Sequence, residues 1–182
     1  MSLGTRRLIR AGAVAVAAAV MSGIAAVPLA APAAAGYTPP LSSFDARLLA
    51  DINHARAAHG LRGLTAVAGT TDVAHGWSCH MATYRTLAHN LRLGGQLPTH
   101  GSSLWTTYGE NVGSESATAS ADSLYRAYMA SPMHRANILD RSYRYVGIWT
   151  KTRGTRRWNT LDFVGSATSS YNYRYGATRS TC

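Results

Sequence analysis

Acidic side chains are scarce in this 182-residue sequence: 8 Asp and Glu stand against 18 Lys and Arg, a formal charge of +10. Such a surface favours anionic partners, which could be nucleic acid, lipid headgroups or acidic wall polymers. Nucleic acid is the weakest of the three, because no Lys/Arg-rich run with interleaved aromatics occurs early in the chain. Cysteine is rarer still, with only Cys79 and Cys182. Neither sits in a metal-ligand spacing, which disfavours a thiolate zinc site. No internal repeat is visible, so a solenoid or other array is not expected. No serine stands in a nucleophile elbow; Ser78 and Ser131 both lie outside such a motif.

What is present begins with an address. Arg6, Arg7 and Arg10 form a basic start, an apolar run follows from Ala11 to about Ala26, and Ala33-Ala34-Ala35 offers small residues to a peptidase. A retained membrane helix is the alternative, since the run approaches the ~20 residues that span a bilayer. Its alanine content and its breaks at Gly12, Gly23 and Pro28 favour removal near Ala35–Gly36. Residues 1–35 are therefore expected to be a signal peptide and 36–42 a Pro-containing linker. One exported domain over 43–166 follows, then a tail over 167–182. No membrane span remains after cleavage, and a monomer is expected. In an oxidising compartment the even pair Cys79 and Cys182 reads first as one disulfide tying down that tail; a reactive free thiol is the alternative.

Periodicity supplies the elements. Ser42 or Ser43 can cap a first helix whose Phe44, Leu48, Ile52 and Ala55 recur at three to four residues, with Gly60 as its stop. Asn53 and Arg56 are read as helix-surface groups that hydrogen-bond neighbouring loops. A second helix is expected from about Gly69 to Leu87, with Val73, Trp77, Met81 and Tyr84 as its buried stripe and Cys79 off that stripe. The Gly/Ser/Thr-rich stretch from Leu91 to Ser116, which includes His100, reads as a long ordered loop with a short strand near Val112. Ser120 caps a third helix with Ala121, Leu124 and Tyr128 inward, and Ser131-Pro132 stops it. Two strands close the domain. Tyr143 to Lys151 is apolar on both faces, as a central strand should be, and Arg157 to Gly165 returns from a tip around Arg153-Gly154-Thr155.

One combination of motifs goes further. Gly109-Glu110-Asn111-Val112 is followed by Ser131-Pro132-Met133-His134-Arg135-Ala136-Asn137-Ile138-Leu139 and then by Tyr145-Val146-Gly147-Ile148-Trp149. Leu87-Ala88-His89-Asn90 stands upstream. In this order the chain resembles the CAP superfamily (SCP domain), shared by cysteine-rich secretory proteins, insect venom antigen 5 and plant pathogenesis-related proteins, in its short bacterial secreted form. Leu48 to Arg56, with Asn53 and Arg56 three apart, looks like the opening helix of that domain, and the likeness runs from about Phe44 to Val164. It implies an α+β fold, a three-layer α-β-α sandwich around a small, mainly antiparallel sheet. It also implies a groove of two histidines and two acids, onto which His89, Glu110 and His134 map. The second acid should lie on the third helix, where Asp122 is the nearest carboxylate and stands too early.

Two imidazoles and a carboxylate suit a divalent metal, with Zn2+ the default. A metal-bound water beside Glu110 could serve a hydrolase, but no substrate pocket, oxyanion donors or nucleophile can be read from the sequence. The plainer roles are structural: the histidines bond loop carbonyls, Glu110 pins the long loop, Arg135 pairs with Asp140 and Asn137 caps a turn beside Asn111. The resemblance favours a non-catalytic binding or accessory protein of the cell envelope or extracellular space, taking a lipid, peptide or glycan ligand. A zinc-dependent, protease-like hydrolase using His89, His134 and Glu110 is the first alternative. The second is an adhesion module whose hairpin tip, with Lys151, Arg153, Arg156 and Arg157, meets anionic wall polymer.

Overall fold

The computed structural model describes residues 40–97, 105–166 and 182. The expected leader, most of the linker, His100 and the tail from 167 to 181 lie outside the described residues. Helix α1 spans Ser43–Ala58; Ser42 caps it through its hydroxyl, which accepts from the Asp45 N–H. Strand β1 (Thr65–Ala66) leads into α2 (Ala68–Tyr84), which ends at Arg85 in the left-handed region with φ 54°. A single turn, α3 (Leu93–Gln96), precedes strand β2 (Thr107–Ser116). Helices α4 (Ala121–Ala130) and α5 (Pro132–Ile138) share Ser131, which ends one and caps the other. Strands β3 (Tyr145–Arg153) and β4 (Arg156–Gly165) form the closing hairpin.

The sheet runs β1-β3-β4-β2; β1 pairs parallel with β3, and the other pairings are antiparallel. The expected sandwich of helices around a small, mainly antiparallel sheet is therefore present, with β3 and β4 central. Alternation sorts the side chains by face. Val146, Ile148, Leu161 and Phe163 pack with Leu48, Ile52, Leu124, Tyr128 and Ile138 into the main core, under α1, α4 and α5. The residues between them on each strand face α2, where Val112 and Trp158 meet Met81 and Ala82, and Tyr145 and Val164 meet Val67 and Leu93.

Four expectations need correction. The stripe of α2 is rotated: Thr70, Ala74, Ser78 and Met81 are buried, whereas Val73 and Trp77 are half-covered and Tyr84 is 67% exposed. The helix lies so close that a Cβ on Gly147 would come 2.2 Å from the Thr70 carbonyl oxygen, so small residues must face the sheet. Cys79 is accordingly buried, and its bond to Cys182 is present. The short strand expected near Val112 is present but runs for ten residues, and α3 also lies in the stretch read as a loop. Ser131-Pro132 ends α4 as expected, but proline at the start of a helix loses no hydrogen bond there, and α5, which was not expected, begins at once.

Arg56 is the fourth. It bonds loop carbonyls as expected, yet it is wholly buried rather than on the helix surface. Its Nε donates to Arg62 O (2.8 Å), Nη1 to Ile138 O (2.7 Å) and Asp140 O (2.9 Å), and Nη2 to Tyr143 O (3.0 Å). One guanidinium thus satisfies the carbonyls of the chain leaving α5 and fixes where β3 begins. Asn53 does the equivalent for Leu64, donating to its carbonyl oxygen and accepting from its N–H.

Candidate functional site

Successive residues of β2 point to opposite faces, and this splits the motif Glu110-Asn111 into two sites of contact. Glu110 turns to the α2 side. Its Oε1 accepts from the Asn90 N–H at 2.9 Å and from His89 Nδ1 at 2.7 Å. An ionised carboxylate only accepts, so the proton of that second bond sits on Nδ1 and leaves Nε2 facing away. Burial pushes the Glu110 carboxyl up, against the opposing pull of the Asn90 N–H and of His89. Its Oε2 is buried with no hydrogen-bond partner.

Asn111 turns to the other side. Its Nδ2 donates to the carbonyl of His134 and its Oδ1 accepts from Asn137, which also donates to the Glu110 carbonyl. Asn137 therefore clamps α5 to β2 instead of capping a turn. Arg135 makes no ion pair with Asp140 among the described residues; Asp140 Oδ1 accepts from the Ser142 N–H and hydroxyl. The His134 ring meets Tyr128 edge-on at 5.1 Å. Burial, with the charge of His89 second, lowers the His134 pKa and favours its neutral form.

His89 and His134 thus approach β2, an edge strand, from its two faces. Among the described residues, the His/Cys/Asp/Glu trio whose ligand atoms all lie within 4.8 Å of one another is His75, Cys79 and Cys182. His89, Glu110 and His134 are not such a trio among the described residues. The His89–Glu110 pair instead has the form of an imidazole oriented by a carboxylate.

Beside His89 the protein opens a cleft of about 750 Å³, lined by Asp72, Trp77, His80, Asn90, Arg92 and Gln96 among others. Its wall is the outward face of α2. The Trp77 and His80 rings stack there at 4.6 Å and 10°, and the Trp77 Nε1–H is tied to the Ala88 carbonyl. Asn90 connects cleft to sheet, donating through Nδ2 to Gln96 Oε1 while its N–H holds Glu110. Trp77, expected in the core, packs against Met81, Ala82, Val112 and Trp158 on one side and forms this wall on the other, which is why the cleft could not be read from the sequence.

A family model described as the cysteine-rich secretory protein family, CAP, matches residues 49–175. The chain belongs to this family. No curated protein is a significant match. Among solved structures, the CAP fold recurs in an outer surface protein of Borrelia burgdorferi, with TM-score 0.59, 16% identity, and 72% of this chain covering 99% of that one. An extracellular protein of Bacillus anthracis containing an SCP domain gives 0.56 at 21% identity, over 71% of this chain and 45% of its own. NaASP2, solved with Zn2+, gives 0.51 at 9% identity, over 71% and 83%. At such identities the likeness is one of fold.

A further residue was missed. Asp162 stands opposite Glu110 in the β2–β4 register, on the same face, fully buried, with neither carboxylate oxygen partnered. Burial, and secondarily the Glu110 charge, pushes its carboxyl well above the usual range. An acid inside the apolar run Leu161-Asp162-Phe163-Val164 was the available sequence signal. The basic tip is bound into the domain. Arg153 donates to the carbonyls of Ala82 and Thr83, Arg156 to Ser114 Oγ, Arg157 to Ala119 O, and Lys151 to the Cys182 carbonyl. No helix among the described residues is long and apolar enough to cross a membrane.

Proposed function

We propose that this CAP-domain protein is an exported, non-catalytic binding protein of the envelope or extracellular space, and that the cleft beside His89 holds its ligand. The observation that carries this reading is the lining: a stacked Trp77–His80 surface facing Asn90, Arg92 and Gln96. Flat aromatic surface next to amide and guanidinium groups suits a chain with apolar faces and polar edges, such as a wall glycan or its peptide. It suits a sterol or acyl chain less well. Extracellular CAP relatives and a disulfide support export.

The test is titration of the protein with soluble muropeptide fragments and with phosphatidylcholine vesicles, beside Trp77→Ala. Fragment binding that weakens about 3- to 10-fold in the variant supports the cleft, on the scale of an aromatic contact. Unchanged binding in Trp77→Ala, or binding of vesicles alone, overturns it. Zinc at His89 and His134 is a separate proposal, in which His89 Nε2 would be the ligand while Nδ1 stays on Glu110. Calorimetric heat lost in the His89→Ala/His134→Ala double variant would support it. Hydrolysis has less behind it, because Glu110 Oε1 is already engaged and Oε2 is buried.

A further inference from the structure

On the sheet side of α2, apart from the histidines of the groove motif, a second set of metal-ligating groups has been assembled. His75 and Cys79 are one helical turn apart, so they project from the same side of α2. The disulfide brings Cys182 onto that side from 103 positions away. One ligand atom from each of the three lies within 4.8 Å of the other two. The His75 ring is held against Trp149, centroids 4.4 Å apart. Lys151 Nζ donates to the carbonyl of Cys182, a contact independent of the S–S bond. Cys182 is exposed, whereas Cys79 is buried.

We propose that reduction of this disulfide converts it into a metal site in which His75, Cys79 and Cys182 hold one zinc ion or a comparable thiophilic divalent cation. While the sulfurs are joined they carry no thiolate and the site is closed to metal. Two equivalents of a small thiol reduce the S–S bond to two Cys thiols and are themselves oxidised to a disulfide. The cation then replaces both thiol protons, forming two metal–sulfur bonds and releasing two H+. One bond to a His75 ring nitrogen completes three protein ligands, and water takes the fourth tetrahedral position, as in two-cysteine, one-histidine zinc sites. Sequence spacing pointed away from a thiolate site because two ligands come from α2 and the third from the chain's last residue. Only the tertiary structure joins them.

The experiment uses Co2+ as a spectroscopic stand-in for zinc, on the full protein with the disulfide intact and after phosphine reduction under anaerobic conditions. The reduced protein is expected to bind one equivalent with tetrahedral visible bands and a thiolate-to-cobalt charge-transfer band, both displaced by zinc. The oxidised protein is expected to lack the charge-transfer band, which also separates this site from any metal on His89 and His134. His75→Ala, which keeps both thiols, should weaken affinity about tenfold or more, and Cys182→Ser should abolish the charge-transfer band. The proposal is overturned if the reduced protein keeps its native circular dichroism and gives no such band. It is also overturned if His75→Ala binds as the parent does, or if reduction unfolds the protein and cobalt does not restore it.

Discussion

The two faces of the sheet are built on opposite terms. Under α1, α4 and α5, most buried polar groups are matched, Glu115 Oε1 being an exception. Arg56 reaches four carbonyls, Tyr128 donates to Asn159 at 2.8 Å, Asn111 and Asn137 bridge β2 to α5, and Asp45 accepts from Ser42 and Thr150. Under α2, matching is incomplete: the hydroxyls of Thr70 and Thr71, both oxygens of Asp162 and Oε2 of Glu110 are buried without partners. The first face fixes the fold, and the second, with its cleft, His89 and the paired cysteines, holds the candidate sites. Groups left unmatched in a core commonly mark such a division.

The sharpest way to break the first face is Arg56→Ala. It leaves a void and strands the carbonyls of Arg62, Ile138, Asp140 and Tyr143 without their donor. Each buried orphan costs about 1–3 kcal/mol where water cannot reach it. A loss of about 4 kcal/mol or more is expected in denaturant unfolding. A loss under about 1 kcal/mol would mean that water replaces the guanidinium and that this face is less dry than its burial implies.

A smaller effect tests how closely α2 is seated. Gly147→Ala places a methyl 2.2 Å from the Thr70 carbonyl oxygen, a backbone atom that cannot swing aside. The helix must shift, at about 1–3 kcal/mol. Gly109→Ala makes a useful control, since the atom it first meets is the hydroxyl of the Tyr143 side chain, at 2.4 Å. If both variants unfold at the same denaturant concentration, backbone contact is not what sets the position of α2.

These glycines also explain what the sequence could and could not reveal. The matched face was largely legible: Leu48, Ile52, Leu124 and Tyr128 recur at helical spacing, and the family motif Asn111, His134, Asn137 lies on elements whose order the sequence keeps. Of strand β2 only a short piece near Val112 was legible, because Gly109 and Gly113 resemble turn residues. In the fold they are close-approach positions, with the Tyr143 and Tyr128 hydroxyls 2.4 and 2.7 Å from where a Cβ would be. The inward side of α2 was misread for a related reason. A size-based stripe selects Trp77 and Tyr84, while the face seated on the sheet is Thr70, Ala74, Ser78 and Met81, with Thr70 against Gly147. Within the groove, His89 and Glu110 are bonded to each other, whereas the sequence offers no clue that Asp162 would face Glu110 across strands remote in the chain.

Asp162 gives the subtlest test of the unmatched face. Its native carboxyl is raised above the ordinary value, chiefly by burial and then by Glu110. The native state therefore holds a proton that the unfolded chain releases as pH rises through the ordinary carboxylate range. Stability contributed by the protonated form is complete below that range and declines as pH climbs toward the raised native value. Asp162→Asn cannot ionise, so the variant should match the parent near pH ~4 and exceed it by about 1 kcal/mol near pH ~7. The quantity to follow is the difference in unfolding free energy between the two proteins across that interval, since Glu110, Asp45 and His134 titrate in both and largely cancel. A difference that widens with pH assigns the burial cost to the Asp162 carboxylate. One that stays flat would mean the charge is met by a partner, so the α2 face would be as fully matched as the other.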